Sequence, residues 1–133
     1  MCGYSVNVGR VKADKYIFCQ VIFTGPHSQL VRMALKSGED IGLETYPDTH
    51  QFIQVEAGKG HAIIDGWEMA LRDGTPIMIF AGETHNLTNS ARKAVLRLYI
   101  IYTPPPYPAD TVYPTRQEAE TYRKQTKGLF VTG

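Results

Sequence analysis

Asp65-Gly66 lies between two apolar runs, His61 to Ile64 and Trp67 to Leu71. Two residues that both tolerate positive φ, set between extended runs, specify a tight two-residue β-hairpin. The same punctuation recurs along the chain. Gly25-Pro26, Ser37-Gly38, Pro47-Asp48, Gly58-Lys59-Gly60, Asp73-Gly74 and Ala81-Gly82 cut it into short segments. Those segments read as strands: Tyr16 to Thr24, Leu30 to Lys36, Ile41 to Tyr46, Gln51 to Glu56, Pro76 to Phe80 and Ala94 to Tyr102, with Leu87-Thr88 as a minimal one. Period-two alternation puts Val31, Met33 and Leu35 on one face, and Gln51, Ile53 and Val55 on another. Many short strands separated by closely spaced turns predict an all-β sandwich or barrel.

Beyond Tyr102 the character changes. Thr103-Pro104-Pro105-Pro106 cannot continue a central strand. Thr115 with Glu118 forms a capping-box pattern, which predicts a short helix from about Arg116 to Lys124. The tail is poor in apolar residues other than tyrosines, so it is expected to lie across the barrel or a partner subunit. The chain reads as one domain over residues 1–133, with the barrel core at about 16–102 and the tail at about 103–133.

With 133 residues, 43% of them hydrophobic, the chain can bury a core without disulfide or metal support. Any metal site is then expected to serve function. A net charge of +1 with no Lys/Arg cluster argues against nucleic acid and anionic membranes as partners. Cys2 and Cys19 form no C-x-x-C pair and read as reduced thiols, and the N-terminus carries no signal-peptide pattern, so a cytoplasmic location is expected. No apolar run is long enough to span a bilayer.

Two Gly-bounded segments concentrate polar groups. One runs from Gly38 through Glu44, Tyr46, His50 and Gln51 to Gly58; the other runs from Gly74 through Phe80, Gly82 and His85 to Asn89. Their spacing resembles the two cupin motifs, G-x5-H-x-H-x(3,4)-E-x6-G and G-x5-P-x-G-x2-H-x3-N. Gly38, Gly58, Gly74, Gly82, His85 and Asn89 stand at matching positions. The chain is most similar to small single-domain cupins of the mannose-6-phosphate-isomerase-like group, through His50-Gln51-Phe52 and Ile101-Tyr102-Thr103-Pro104-Pro105. This resemblance implies a double-stranded β-helix (jelly-roll) barrel with a short C-terminal helix. It also implies a homodimer, with a strand such as Tyr16–Thr24 pairing across subunits.

The ligand positions depart from the family. Its two motif-one histidines are Glu44 and Tyr46 here, its glutamate is Gln51 and its motif-two proline is Phe80; only His85 is kept. Glu44 and Tyr46 share a strand face by alternation, and Gln51 opens the next strand. Glu44, His50 and His85 would make a two-His-one-carboxylate set suited to Fe, Mn, Ni or Zn, with Gln51 adding an amide oxygen. Tyr46, whose phenol ordinarily stays protonated at neutral pH, suits the role of hydrogen-bond donor or catalytic acid better than that of ligand. His27 and His61 read as surface or strand-end residues, and Trp67 and Phe80 as residues of a core or subunit interface.

The leading expectation is a small-molecule-binding cupin with a divalent metal in the barrel, its ligand a sugar or small organic acid. If it is an enzyme, its chemistry would be isomerisation with a redox-inert metal or dioxygenation with Fe(II). A second reading is a degenerate cupin with no metal, acting as a non-catalytic binding or sensing module. A third is a purely structural partner protein.

Overall fold

The computed structural model describes residue 5 and residues 17–122. Ten strands follow in order: β1 (Cys19–Thr24), β2 (Gln29–Leu35), β3 (Glu44–Thr45), β4 (His50–Ala57), β5 (Gly60–Ile64), β6 (Trp67–Leu71), β7 (Pro76–Ile79), β8 (Thr84–Asn89), β9 (Leu96–Thr103) and β10 (Val112–Tyr113). A helix, α1, occupies 116–122. All strand pairings are antiparallel. One sheet has the order β10-β1-β2-β9-β4-β7 and the other β3-β8-β5-β6.

Alternation decides what each sheet buries. Val31, Met33 and Leu35 from β2, Ile53 and Val55 from β4, and Leu96, Leu98, Ile100 and Tyr102 from β9 point inward and are almost fully buried. Ala62, Ile64 and Leu87 meet them from the four-stranded sheet. The two sheets close over this core as the two walls of an all-β barrel.

Most strands fall where turn residues place them, with local differences. Ile41 to Tyr46 yields only the two paired residues of β3, because Gly42 takes a left-handed φ of 87° and interrupts the extended run. β8 spans six residues instead of the expected Leu87-Thr88, held by β3 on one side and β5 on the other. Tyr16, Arg123 and Lys124 lie outside the described residues. Trp67 is 77% exposed and Phe80 55%, so neither sits in the core. Trp67 stands at the tip of the β5–β6 hairpin, on a sheet edge, and Phe80 follows β7, the edge strand of the other sheet. His27 is exposed and His61 half-buried. No helix among the described residues is long and apolar enough to cross a membrane.

The tail crosses the barrel. Residues Val112–Tyr113 pair with β1, and Tyr107, Tyr113 and Ala119 pack on the core. Thr115 caps α1 as expected, its Oγ1 accepting from the Glu118 N–H at 3.2 Å. Arg116 then ties the helix to the loop before β3. Its Nη2 and Nε donate to Asp40 Oδ1 at 2.7 and 3.0 Å, and Nε also reaches the Asp40 carbonyl at 2.8 Å. Asn86 Nδ2 donates to the other Asp40 oxygen at 2.9 Å. Partial burial works to raise the Asp40 pKa, but hydrogen bonds from Asn86 and Arg116 outweigh it and hold the carboxyl below its ordinary value. A carboxyl depressed in the folded state adds stability above the ordinary carboxylate range and loses it as pH falls. Arg116→Leu is therefore expected to cost about 1 kcal/mol at neutral pH and progressively less as pH falls through the depressed Asp40 pKa, read by urea unfolding across that range.

Candidate functional site

Register brings the polar residues together. Glu44 on β3 stands directly opposite His85 on β8. Opposite residues of an antiparallel pair project on the same face with Cβ atoms about 5 Å apart. On the other wall, Gln29, Tyr102 and Gln51 form a cross-strand row over β2, β9 and β4. The two rows face each other across the interior. Gln51 Nε2 lies 3.0 Å from His85 Nε2, and Glu44 Oε1 lies 3.7 Å from that same nitrogen.

The tautomer of His85 follows from its partners. Its Nδ1 sits 3.1 Å from the Glu83 carbonyl, which can only accept, so Nδ1 carries the proton. Nε2 then offers its lone pair to the interior and accepts from the Gln51 amide. The turn that supplies this carbonyl is itself braced: Glu83 Oε1 accepts from the Phe80 N–H at 2.6 Å, and the Glu83 N–H donates to the Phe80 carbonyl at 3.0 Å. Gln51 Oε1 is buried and has no hydrogen-bond partner among the described residues.

Tyr46 lies over this cluster. Its ring stacks on that of His85 at 6.2 Å with planes 28° apart, and its hydroxyl donates to Glu44 Oε2 at 3.3 Å. Having spent its proton there, that hydroxyl accepts from Tyr107 Oη, also at 3.3 Å. Gln29 clamps the backbone of Tyr107 from both sides, donating to its carbonyl at 2.9 Å and accepting from its N–H at 3.2 Å. Burial, with the nearby Tyr102, Tyr46 and Glu44 groups, pushes the Tyr107 phenol well above its ordinary pKa, and burial does the same to Tyr102. Both are neutral hydrogen-bond donors at physiological pH. The Cys19 thiol, on the inner face of β1, is pushed up to about 12 by burial, then by the Glu44 charge, with the neighbouring Tyr107 hydroxyl acting the other way. It is an inert thiol, not a nucleophile.

Glu44, Tyr46, Gln51 and His85 thus converge, whereas His50 does not. β4 alternates, so the register that turns Gln51 inward turns His50 out. His50 is exposed; its Nδ1 accepts from the Ala81 N–H at 3.0 Å and its ring packs edge-on to Phe80. The set Glu44, His50 and His85 is not assembled. Among the described residues no group of three or more His, Cys, Asp or Glu side chains gathers. A cation here would have to use His85 Nε2, Glu44 and the Gln51 amide oxygen. Metal–ligand bonds near 2.1 Å set neighbouring donors about 3.0–3.4 Å apart, so the observed separations call for a turn of the Gln51 amide, which now presents its nitrogen, and a small rotation of Glu44. The residues therefore fit a divalent cation held by few, mostly oxygen donors. Sequence reasoning missed Gln29, Tyr102 and Tyr107. Inward alternation with Leu98 and Ile100 marks Tyr102, whereas nothing local marks Gln29 or Tyr107.

No family model matches the chain. It is 34% identical over 122 residues to the uncharacterized protein YrkC of Bacillus subtilis, covering 87% of this chain and 65% of YrkC. It is 39% identical over 108 residues to the uncharacterized protein L612 of Acanthamoeba polyphaga mimivirus, covering 79% of this chain and 68% of L612. The structure of BH2720 from Bacillus halodurans superposes with a TM-score of 0.83 at 34% identity, over 89% of this chain and 93% of that one. The cupin domain of Cnp3 from Schizosaccharomyces pombe gives 0.66 at 12% identity, over 94% and 80%. An oxalate oxidase in complex with glycolate gives 0.55 at 16%, over 58% and 42%. The last two show the fold alone. Two antiparallel sheets closing over one core, with these neighbours, define the cupin fold, a double-stranded β-helix. Within that class, the chain belongs to the family of L612 and BH2720.

Proposed function

We propose that this cupin binds a small oxygen-rich molecule, a sugar or small organic acid, beside a divalent cation held by His85 Nε2, Glu44 and Gln51. The observation that carries the reading is the meeting of the two inward polar rows, which brings Glu44 of β3 and Gln51 of β4 beside one imidazole nitrogen, Nε2 of His85 on β8. The glycolate bound by the distant oxalate oxidase accords with an organic acid. A bound cation would supply Lewis-acid polarisation of a ligand oxygen. The chain's own residues do the rest. Glu83 fixes the imidazole through Nδ1, an arrangement that keeps Nε2 a lone-pair donor. Tyr46 can turn its hydroxyl proton from Glu44 to a bound ligand, and Tyr107 holds that hydroxyl in place. Isomerisation is the fitting chemistry with a redox-inert cation, and dioxygenation with Fe(II).

Gln51 separates this reading from a metal-free sensing module. As built, its amide nitrogen satisfies His85 and its oxygen is idle. Turning the amide aims the oxygen at the imidazole lone pair, which is repulsive unless a cation lies between. The test is metal analysis of protein purified without a metal-binding tag, with melting curves in added Mn, Fe, Ni and Zn. The expected result is near-stoichiometric metal, absent from His85→Ala, and stabilisation on the order of 10 °C at a hundredfold excess over Kd. No metal and no shift with any of the four would establish the metal-free module instead.

A further inference from the structure

Three turns meet at the end of the barrel away from the polar cluster. They are the 58–60 turn after β4, the 72–75 turn between β6 and β7, and the 91–94 turn between β8 and β9. Together they form a groove of about 550 Å³, lined by Gly58, Lys59, Arg72, Asp73, Ala91 and Ala94. Gln51 lies at the start of β4 and Gly58 just past its end, so the groove stands roughly 20 Å from Gln51 at about 3.3 Å per residue. Four cations that are dispersed in the sequence gather here. Lys59 and Arg72 line the groove, and Arg92 and Lys93 stand on the turn between its two alanines. All four are exposed, and among the described residues none of them enters an ion pair. We infer that this groove is a binding site for a small phosphomonoester, separate from the interior polar cluster.

Charge, rigidity and shape select that occupant. The groove holds one carboxylate, Asp73, and its Oδ1 is committed to the Gly58 N–H at 2.7 Å. The cations are left to water and to one another. Neighbouring like charges repel, and an anion of two negative charges relieves the repulsion. A phosphomonoester approaches that charge at neutral pH, its second pKa being about 6. Its oxygens suit the guanidinium fork of Arg72 and the compact ammonium of Lys59. The frame is already fixed. The Gly74 N–H donates to the Val55 carbonyl at 2.8 Å, and the Thr75 N–H to the Arg72 carbonyl at 2.9 Å. Thr75 Oγ1 accepts from the Arg72 N–H at 3.1 Å. Ser37 Oγ donates to the Ala91 and Arg92 carbonyls at 2.5 and 2.8 Å, and Asn89 holds the 91–94 turn from both ends. A frame held this way loses little freedom when a ligand arrives. Gly58, Ala91 and Ala94 carry almost no side chain, so the groove has room for more than a bare ion. Its volume lies in the range of small-molecule sites, about 300–1,000 Å³. The phosphoryl group belongs beside Lys59 and Arg72, with the organic body over the two alanines.

The test is titration of the isotope-labelled full chain, read by amide shifts in NMR. The probes are inorganic phosphate, glucose-6-phosphate, adenosine monophosphate and succinate. At least one of the two esters is expected to bind with a Kd at or below about 1 mM at low ionic strength, more tightly than phosphate or succinate. The shifts are expected at 58–60, 72–75 and 91–94. The tighter of the two esters tells whether the body is a sugar or a nucleoside. Lys59→Gln/Arg72→Gln is expected to weaken binding at least roughly 10-fold, and Arg92→Gln/Lys93→Gln roughly threefold through lost long-range attraction. Arg32→Gln, on the outer face of the six-stranded sheet, is expected to change nothing. Circular dichroism checks that each variant is folded. No saturable shift with either ester, or shifts centred on 44–51 and 85 instead, overturns the inference. So does an ester no tighter than phosphate (an adventitious ion only) or than succinate, or undiminished affinity in a folded Lys59→Gln/Arg72→Gln.

Discussion

Gly60→Ala is expected to remove about 4 kcal/mol or more of unfolding free energy, beyond the range of an ordinary point substitution. Gly60 opens β5, paired with Leu71 on one side and Asn89 on the other. A Cβ there would run into the carbonyl oxygen of Thr88, and would stand 3.2 Å from both the Thr88 carbonyl carbon and Leu96 Cδ2. The obstacle is backbone of the adjacent strand, so relief requires parting β5 from β8. β8 also carries His85, so any surviving fold is expected to lose the proposed cation binding with its stability. Gly38 and Gly74 provide the contrast. They take φ of 80° and 82° with nothing within 4 Å of an added Cβ. Alanine at either meets only left-handed strain, about 1 kcal/mol. Urea unfolding of the three variants checks the ranking, and a Gly60→Ala protein as stable as Gly38→Ala would contradict the close β5–β8 approach.

Asn89→Leu is the second large effect, expected at about 4 kcal/mol. Asn89 is 1% exposed. Its Nδ2 donates to the Leu35 and Ala94 carbonyls, both at 2.8 Å, and its Oδ1 accepts from the Ala91 N–H at 2.9 Å. One amide thus bridges the end of β2 to the 91–94 turn that leads into β9. Leucine keeps the branched shape, though it is bulkier, and strands three backbone groups, each costing about 1–3 kcal/mol when buried without a partner. Asn89→Asp is expected to be at least as damaging, because it aims carboxylate oxygens at two carbonyls. If the Asp variant unfolds at the wild-type urea midpoint, the amide orientation argued here is wrong. The asparagine that closes the second cupin-like motif is in this chain a structural bridge, not part of the polar cluster.

Much of the framework was legible along the chain. Asp65-Gly66 marked its hairpin to the residue, and both central residues do take positive φ, 47° and 85°. Thr115 marked the start of α1. The alternation of Gln51, Ile53 and Val55 put all three inside. These features depend on residues close in sequence, where φ preference and period-two geometry act directly.

His50 shows where local reading stops. It has the right chemistry and sits beside Gln51, but one residue of offset on a strand is a change of face. Tyr107 and Gln29 are 78 residues apart and meet only because the tail folds back over the barrel. Lys59, Arg72, Arg92 and Lys93 share one end of the barrel only because three distant turns meet there. Turn chemistry and alternation say where strands begin, end and face, because they are set within a few residues. Which polar side chains share the interior, and which charged ones share a groove, depends on contacts between distant segments, and those form only when the two sheets close.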